Sequence, residues 1–316
     1  MKSSVCFSFF SLLVGISTAA KVFDVTILSV SPLHFESRSA LTNESWVATA
    51  SFSDAVDHPS NFGTLDITTQ PSSSDNTQMF AAGFAEGFLT AERIYQHYQN
   101  MMCQVDCSGA VPVELSQFFD QQNAWARSQV AKHPSSNYWQ FIGSLLSQFD
   151  GLYKGYSSSE FGKSNPLDLW AFTMINAMGD LFDIIPSVLP SSRPNFHGMN
   201  YNEAQSYLTQ VGHCSAFIKI TDDLTDMFIG HNAWFVYSSM LRIYKTYSFA
   251  LKNAGNKATI TSFSSYPATL SSLDDFYMMK GSELIMTQTT NNIFNSSLWD
   301  LVKPESLLGT VLHNEH

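Results

Sequence analysis

The feature that most restricts the fold is a change of hydrophobic periodicity along the chain, from strand-like to helical and back to strand-like. Residues 22–68 carry short alternating or β-branched runs separated by turn residues, a pattern typical of strands. Residues 75–185 place apolar side chains at helical spacing. Strand-like runs return from Ser215 onward. The sequence therefore predicts a helical block between two strand-rich blocks.

Four helices are predicted inside the helical block. The first begins with Asp75 as N-cap, has Gln78 three residues later, and continues to Met102. The others cover residues 113–132, 138–153 and 167–185. The last of these is apolar nearly all round, so we expect it to be buried between layers.

A linker and then a hairpin follow the helices. Residues 186–200 are rich in proline and serine, which disfavours helix and central strand and makes a ready site for proteases. Beyond the linker, residues 215–220 and 227–231 predict two strands joined by a turn at 221–225. Such a hairpin would bring His231 toward Cys214.

The amino terminus predicts a signal peptide at residues 1–20. Lys2 precedes an apolar run of about a dozen residues, which ends in small residues at 17–20. That run is well short of the roughly 20 residues of a spanning helix, and no long uncharged apolar run follows it. We expect a secreted or lysosomal product without a transmembrane segment.

Charge and glycosylation motifs bear on partners. The formal net charge is −11, and no cluster of lysine and arginine occurs, which excludes a nucleic-acid partner. The triplets that begin at Asn43 and Asn295 are N-glycosylation sequons, so both asparagines are predicted to lie at the surface and carry glycans.

Three cysteines remain once the signal peptide and its Cys6 are removed. In an oxidising compartment the close pair Cys103 and Cys107 is predicted to form a disulfide. Cys214 is then left over. A leftover thiol in a secreted protein is buried and inert, paired between chains, or reactive.

Cys214 and His231 together predict a cysteine–histidine site. A cysteine acts as a nucleophile only as thiolate, so it needs a base or positive group nearby. The two residues are seventeen positions apart, a separation that a hairpin closes. On this pattern alone a structural histidine remains the more frequent outcome.

Several strings of the sequence resemble one known family, in the family's order, over residues 62–308. They are AAGFAEGFLTAE at 81–92, YQHY at 95–98, HCSA at 213–216, GHNAW at 230–234, SSYP at 264–267, DDFY at 274–277 and QTTN at 288–291. The family is that of the phospholipase B-like proteins. Because several separate motifs match in register, the resemblance is specific.

The resemblance implies an N-terminal nucleophile hydrolase, so we predict an α+β fold, an αββα sandwich. Such a protein is made as a precursor and cut just before its catalytic cysteine, here at the bond between His213 and Cys214. We then expect residues 21–213 to form an N-terminal segment of mixed helices and strands, and residues 214–316 to be the start of the catalytic β-rich segment. The two fragments are expected to stay associated after the cut. The resemblance also places Asn232 and Trp234 in the substrate pocket beside His231. No metal and no cofactor is predicted.

The chemistry of the cut explains the residue types. Cys214 would attack the carbonyl of His213, shift the acyl group from nitrogen to sulfur, and lose it to water. The new α-amino group, with an ordinary pKa of roughly 7.7–8.0, would then serve as base for its own thiol.

Two functions follow from the resemblance. The first is a hydrolase of acyl ester or amide bonds in lipids or acylated small molecules. Family members usually continue well beyond this chain's last residue, so we expect a C-terminally truncated chain in which the sheet and the oxyanion hole are incomplete. The alternative is therefore a catalytically inactive member that binds lipid or a partner chain. A papain-like protease is disfavoured, because the surroundings of Cys214 lack that family's local motif.

Overall fold

The structure, a computed structural model, describes residues 20–41, 43–57, 62–102, 111–210, 214–253, 255–289 and 294–306. The strands are β1 (Lys21–Val30), β2 (Leu33–Glu36), β3 (Ala48–Asp54), β4 (Phe62–Thr69), β5 (Ser215–Ile220), β6 (Met227–Asn232), β7 (Arg242–Ser248), β8 (Ile260–Ser265), β9 (Phe276–Lys280) and β10 (Leu284–Thr287). The helices are α1 (Asp75–Leu89), α2 (Ala91–Met102), α3 (Val113–Lys132), α4 (Asn137–Ser158), α5 (Glu160–Ser164), α6 (Leu169–Ala177), α7 (Leu181–Val188) and α8 (Tyr201–Gln210).

Eight of these strands form one mixed sheet, in the order β10-β9-β8-β7-β4-β3-β1-β2. The central pair β4 and β7 is parallel, and the other neighbours are antiparallel. The eight helices and the separate β5–β6 hairpin all lie between β4 and β7 in the sequence. Segments before and after Cys214 therefore build the same sheet.

One face of the sheet is covered by helix α1. Along β4, Leu65 and Ile67 are buried whereas Asp66 and Thr68 are exposed, which is the alternation of a strand with one core face. Phe84 of α1 belongs to the same buried cluster as these strand residues. Burying a side chain of this size contributes about 1.5–3 kcal/mol. The core thus lies between α1 and the sheet, and the opposite face of β4 is open.

Helix α4 packs unusually closely on α1. A β-carbon at Gly83 would lie 1.9 Å from the carbonyl oxygen of Gln148, and one at Gly151 would lie 2.1 Å from that of Phe80. Only glycine allows such backbone approach. The glycines therefore fix the position of α1 over the sheet.

The predicted α+β class is confirmed. Of the αββα sandwich that the resemblance implies, the described residues form one helical layer and the large sheet beneath it, with β5 and β6 as a separate hairpin. The predicted helix at 113–132 has the bounds of α3. None of the helices in the described ranges is long and apolar enough to cross a membrane.

The single long helix predicted from Asp75 to Met102 is wrong. The chain forms α1 and α2, separated at Thr90, whose hydroxyl and backbone N–H both donate to the carbonyl of Glu86. The apolar spacing continues through this break, so periodicity alone does not indicate it. The N-cap is also one residue earlier than predicted, because the Ser74 side chain accepts the N–H of Thr77.

The predicted helix at 167–185 is likewise two helices, α6 and α7, separated at residues 178–180. The proline-rich segment at 186–200 contains no strand, as predicted, but the prediction that it forms no helix is wrong for residues 186–188. These are the last turn of α7, with Pro186 inside the helix, and short 3-10 turns follow at Pro190–Ser192 and Phe196–Gly198. Arg193 holds the segment by donating to the Pro186 carbonyl and to Asp300. Helix α8 and strand β9 were not predicted. The signal peptide and the pair Cys103 and Cys107 lie outside the described residues.

Candidate functional site

The predicted hairpin brings Cys214 and His231 together. Strands β5 and β6 pair antiparallel, with Ala216 opposite His231 and Ser215 opposite Asn232. The turn between them is closed by hydrogen bonds from the backbone N–H and hydroxyl of Thr221 to the carbonyl of Asp226. Since Cys214 directly precedes β5, the register places it beside the end of β6.

A third side chain, Asp275, completes the cluster. The Cys214 Sγ, one ring nitrogen of His231 and one carboxylate oxygen of Asp275 all lie within 4.8 Å of one another, and all three residues are partly buried. Asp275 lies in the turn before β9, where its N–H donates to the carbonyl of Ser272. Gln288 donates its side-chain amide to the Asp275 carboxylate at 3.1 Å, which orients it.

The turn holds Asp275 in a strained backbone conformation. Its φ is 57°, in the left-handed region that non-glycine residues seldom occupy. A conformation of this kind persists only where surrounding contacts enforce it. Here the bond from the Asp275 N–H to the Ser272 carbonyl and the bonds from Gln288 to Asp275 enforce it.

Burial raises the pKa of the Asp275 carboxyl above its ordinary value. The hydrogen bond from Gln288 and the charge of His231 oppose the rise, whereas the charge of Asp274 adds to it. A carboxylate here is thus stabilised by the positive charge of a protonated imidazole.

The neighbouring Asp274 anchors the turn to the core. Its carboxylate accepts hydrogen bonds from the Tyr266 hydroxyl at 2.5 Å and from Arg242 Nη1 at 3.1 Å, and the residue is 4% exposed. Tyr266 is fully buried and stacks on His97 at 5.5 Å between ring centroids. Asp275 is therefore positioned by a neighbour that is held from two sides.

A polar pocket of about 310 Å³ opens beside His231. Its polar lining consists of His231, Asn232, Arg242, Ser264 and Asp274. The Nε2 atom of His231 is buried and has no hydrogen-bond partner among the described residues. The imidazole therefore keeps a free nitrogen beside the pocket, as a group that moves a proton requires.

The structure distributes the residues predicted from the sequence unevenly. Cys214 and His231 lie in one cluster, and Asn232 lines the pocket. Trp234 is 59% exposed and is not among the described residues that line the pocket. His213 lies outside the described residues. Asn43 and Asn295 are both exposed, as predicted for glycan acceptors.

Asp275 is the functional candidate that the sequence did not assign. It belongs to the matching string at 274–277, but no role was attached to it. Thiol, imidazole and carboxylate in one cluster suit nucleophilic catalysis, in which the acid orients the base and the base activates the nucleophile. The same three donor types also hold transition-metal ions.

Comparison with known proteins identifies the family. A family model described as Phospholipase B matches residues 48–312. The chain is 40% identical over 235 residues to Phospholipase-B 81 of Drysdalia coronoides, and the aligned residues cover 74% of this chain and 42% of that protein. It is 34% identical over 261 residues to Phospholipase B-like 1 of Rattus norvegicus, and that alignment covers 81% of this chain and 46% of the rat protein. It is 37% identical over 245 residues to Phospholipase B-like protein B of Dictyostelium discoideum, and that alignment covers 77% of this chain and 42% of that protein.

These matches confirm the family inferred from the sequence strings. The chain spans less than half the length of these curated relatives. The family model nevertheless covers well over half of this chain. The chain therefore belongs to the phospholipase B family.

Proposed function

We propose that this chain carries the nucleophile of an acyl hydrolase that cleaves ester or amide bonds of lipids or acylated small molecules. The observation that carries the proposal is the cluster of Cys214, His231 and Asp275, whose reactive atoms lie within 4.8 Å of one another. The names of the relatives, which are phospholipases B or phospholipase B-like proteins, support a lipid substrate.

The first step is cleavage of the chain's own His213–Cys214 bond. The Cys214 thiolate attacks the His213 carbonyl, and the acyl group moves from nitrogen to sulfur. Water then hydrolyses the thioester, which releases the carboxylate of His213 and regenerates the thiol. In the uncut chain Cys214 has no α-amino group, so His231, with a ring nitrogen within 4.8 Å of the sulfur, would accept the thiol proton.

After cleavage Cys214 carries a free α-amino group beside its sulfur. This amine, with an ordinary pKa of roughly 7.7–8.0, takes over as base, and the thiolate attacks the substrate acyl carbonyl to form a thioester. The bond from the acyl carbon to its oxygen or nitrogen then breaks, and the leaving alcohol or amine takes the proton that came from the thiol, relayed by His231 next to the pocket. Water hydrolyses the thioester, which releases the carboxylic acid and regenerates the thiol. Asp275 is a positioning residue, because it acts through His231.

The arrangement of the sheet supports continued association of the two fragments. Strand β4 precedes the cut and β7 follows it, yet they pair along seven register positions at the centre of the sheet. Separating segments 21–213 and 214–316 would break this pairing and open the core beneath it. We infer that the cut chain stays together.

Passage through the secretory pathway to a secreted or lysosomal location is part of the proposal. The pattern of residues 1–20 supports a signal peptide, and the exposed positions of Asn43 and Asn295 are compatible with glycan attachment. The proposed disulfide of Cys103 and Cys107 would form in the same compartment.

A second candidate function is binding of lipid or a partner chain without catalysis. The observation that favours it is the apolar surface of the β5–β6 hairpin, where Phe217 is 60% and Phe228 57% exposed. Exposed apolar side chains grouped in this way mark interaction surfaces.

The decisive experiment is intact-mass measurement and N-terminal sequencing of secreted protein. We expect wild type to yield a second chain that begins at Cys214, and a Cys214→Ala variant to stay uncut. Ser215→Ala, at the exposed next position, is the matched control and should be cut. If wild type stays uncut and releases no acyl group from mixed phospholipids or N-acyl amides, the enzymatic proposal is wrong. Vesicle co-sedimentation then tests the binding alternative.

Values of kcat/KM on whichever substrate is cleaved test the separate roles of His231 and Asp275. His231→Ala should lower kcat/KM by about 10²–10⁴-fold, the usual contribution of a general acid–base group. His197→Ala, at an exposed histidine, is the control and should have no effect. Asp275→Asn should displace the pH profile of kcat/KM, and an unchanged profile would remove Asp275 from the proposal.

A further inference from the structure

The Cys214, His231 and Asp275 cluster brings together the three donor types from which protein zinc sites are built: thiolate sulfur, imidazole nitrogen and carboxylate oxygen. With zinc–ligand bonds of about 2.0–2.3 Å, tetrahedral geometry places neighbouring donors about 3.4–3.8 Å apart. The three donor atoms here lie within 4.8 Å of one another. Movements of about 1 Å or less in partly buried side chains close that difference.

The charges of the cluster also suit a divalent cation. One thiolate and one carboxylate balance a 2+ ion, and a neutral imidazole adds a third ligand. The Arg242 guanidinium donates to Asp274, so a bound cation would add positive charge directly beside the Asp275 carboxylate.

The surroundings hold the donors in place. Gln288 donates to one oxygen of Asp275, and Asp274 is fixed by Tyr266 and Arg242. Hydrogen bonds of this kind orient metal ligands and typically change affinity 10–100-fold when removed. The buried Nε2 of His231 has no hydrogen-bond partner among the described side chains.

We propose that Cys214, His231 and Asp275 bind a Zn²⁺ ion, which holds the Cys214 thiolate and blocks its attack on a carbonyl. The thiolate selects a borderline-soft ion over the hard Ca²⁺ and Mg²⁺, which prefer oxygen ligands. The fourth position is taken by water. Metal binding stands on this geometry alone, whereas the inhibitory consequence rests on the proposed function. The sequence predicted no metal, because the donors come from separate parts of the chain.

The ion would also fasten the hairpin to the sheet. Strands β5 and β6 pair only with each other among the described strands, whereas Asp275 directly precedes β9 of the large sheet. Coordination adds a link between these two units. Zn²⁺ should therefore raise the thermal midpoint of wild type.

The test uses the full chain after removal of metal with a chelator and exchange into metal-free buffer. Zn²⁺ is titrated in competition with a chromophoric chelator, and Co²⁺ is added separately as a spectroscopic probe. We expect wild type to bind one equivalent at this site and to show a thiolate-to-cobalt charge-transfer band. Cys214→Ala should lose the band, and His231→Ala and Asp275→Asn should each weaken Zn²⁺ binding at least tenfold. His197→Ala should bind as wild type does.

Two results would overturn the zinc site: no charge-transfer band in wild type, or unchanged affinity in both His231→Ala and Asp275→Asn. Each variant's metal-free thermal midpoint verifies folding, and its rise with Zn²⁺ should be smaller than in wild type. The zinc-site proposal and the hydrolase proposal can be disproved independently. A chain that binds Zn²⁺ but neither cuts itself nor releases acyl groups keeps the site and loses the hydrolase. In an active chain, one equivalent of Zn²⁺ should slow self-cleavage, and chelator should restore it.

Discussion

Two clusters of ionisable side chains differ in how the fold supports them. In the core, Lys245 of β7 donates to Glu86 of α1 at 2.7 Å and to the carbonyl of Thr269, and the Tyr247 hydroxyl donates to the second Glu86 oxygen. The Lys245 and Glu86 side chains are almost completely buried. At the hairpin, Cys214 and His231 are partly exposed, and His231 has an unpartnered nitrogen.

The core cluster contributes to stability, whereas the hairpin cluster offers groups that could take part in chemistry. In the core cluster both Glu86 oxygens accept hydrogen bonds and the Lys245 ammonium donates two, and these bonds hold α1 on the sheet. Beside a pocket, the hairpin cluster keeps an imidazole nitrogen that is unpartnered among the described residues, and its strands are almost entirely exposed. Tyr266 connects the two regions, since it donates to Asp274 and stacks on His97. Three predictions test this contrast.

The largest expected effect comes from removing one partner of the core pair. Glu86→Ala would leave the Lys245 ammonium buried without its counter-charge, and burial already lowers the pKa of Lys245. Breaking such a pair costs about 3–5 kcal/mol. We expect that loss in the free energy of unfolding, measured by urea denaturation.

The matched control is Glu160→Ala, which breaks the exposed bridge between Lys163 and Glu160. Exposed helix pairs are worth about 0.3–0.5 kcal/mol, so this variant should lose no more than that. A loss below about 1 kcal/mol in Glu86→Ala would contradict the assignment of the core cluster as a major source of stability.

The sequence predicted the half of the site that depends on local structure. Cys214 and His231 are joined by a single hairpin, whose strand pattern and turn residues were visible. Asp275 comes to them only through the pairing of β9 with the sheet, and β9 was not predicted. Similarly, Asp75 was interpreted as an N-cap, but its carboxylate accepts the backbone N–H groups of Lys252 and Asn253 far along the chain. Long-range contacts of this kind leave no periodic signal.

The second prediction concerns His97, which lies between the two clusters. Burial, with the charge of Lys245 adding to it, lowers the pKa of His97 to about 3. In the unfolded chain its pKa is about 6.5. Between these values the unfolded state binds a proton that the native state does not, so stability falls as the pH falls below about 6.5. At pH 5 the loss should be about 2 kcal/mol relative to neutral pH.

Urea denaturation at pH 7 and pH 5 measures this effect, with a His97→Gln variant to remove the group. The variant should lose about 2 kcal/mol less than wild type between the two pH values. His197→Gln, at an exposed histidine, should behave as wild type. Equal losses in wild type and His97→Gln would show that His97 is not held neutral in the native state.

The smallest expected effect is at the hairpin. Phe228 of β6 is 57% exposed, whereas Phe263 of β8 is 2% exposed in the core. Phe263→Ala should cost about 3–5 kcal/mol. Phe228→Ser should change the free energy of unfolding by less than about 0.5 kcal/mol, because an exposed side chain far from packing contributes little. A loss above about 1 kcal/mol at Phe228 would mean that the hairpin packs against another surface in solution. Repeating the denaturation across protein concentrations would then show whether that surface belongs to a second copy, because only association makes stability depend on concentration.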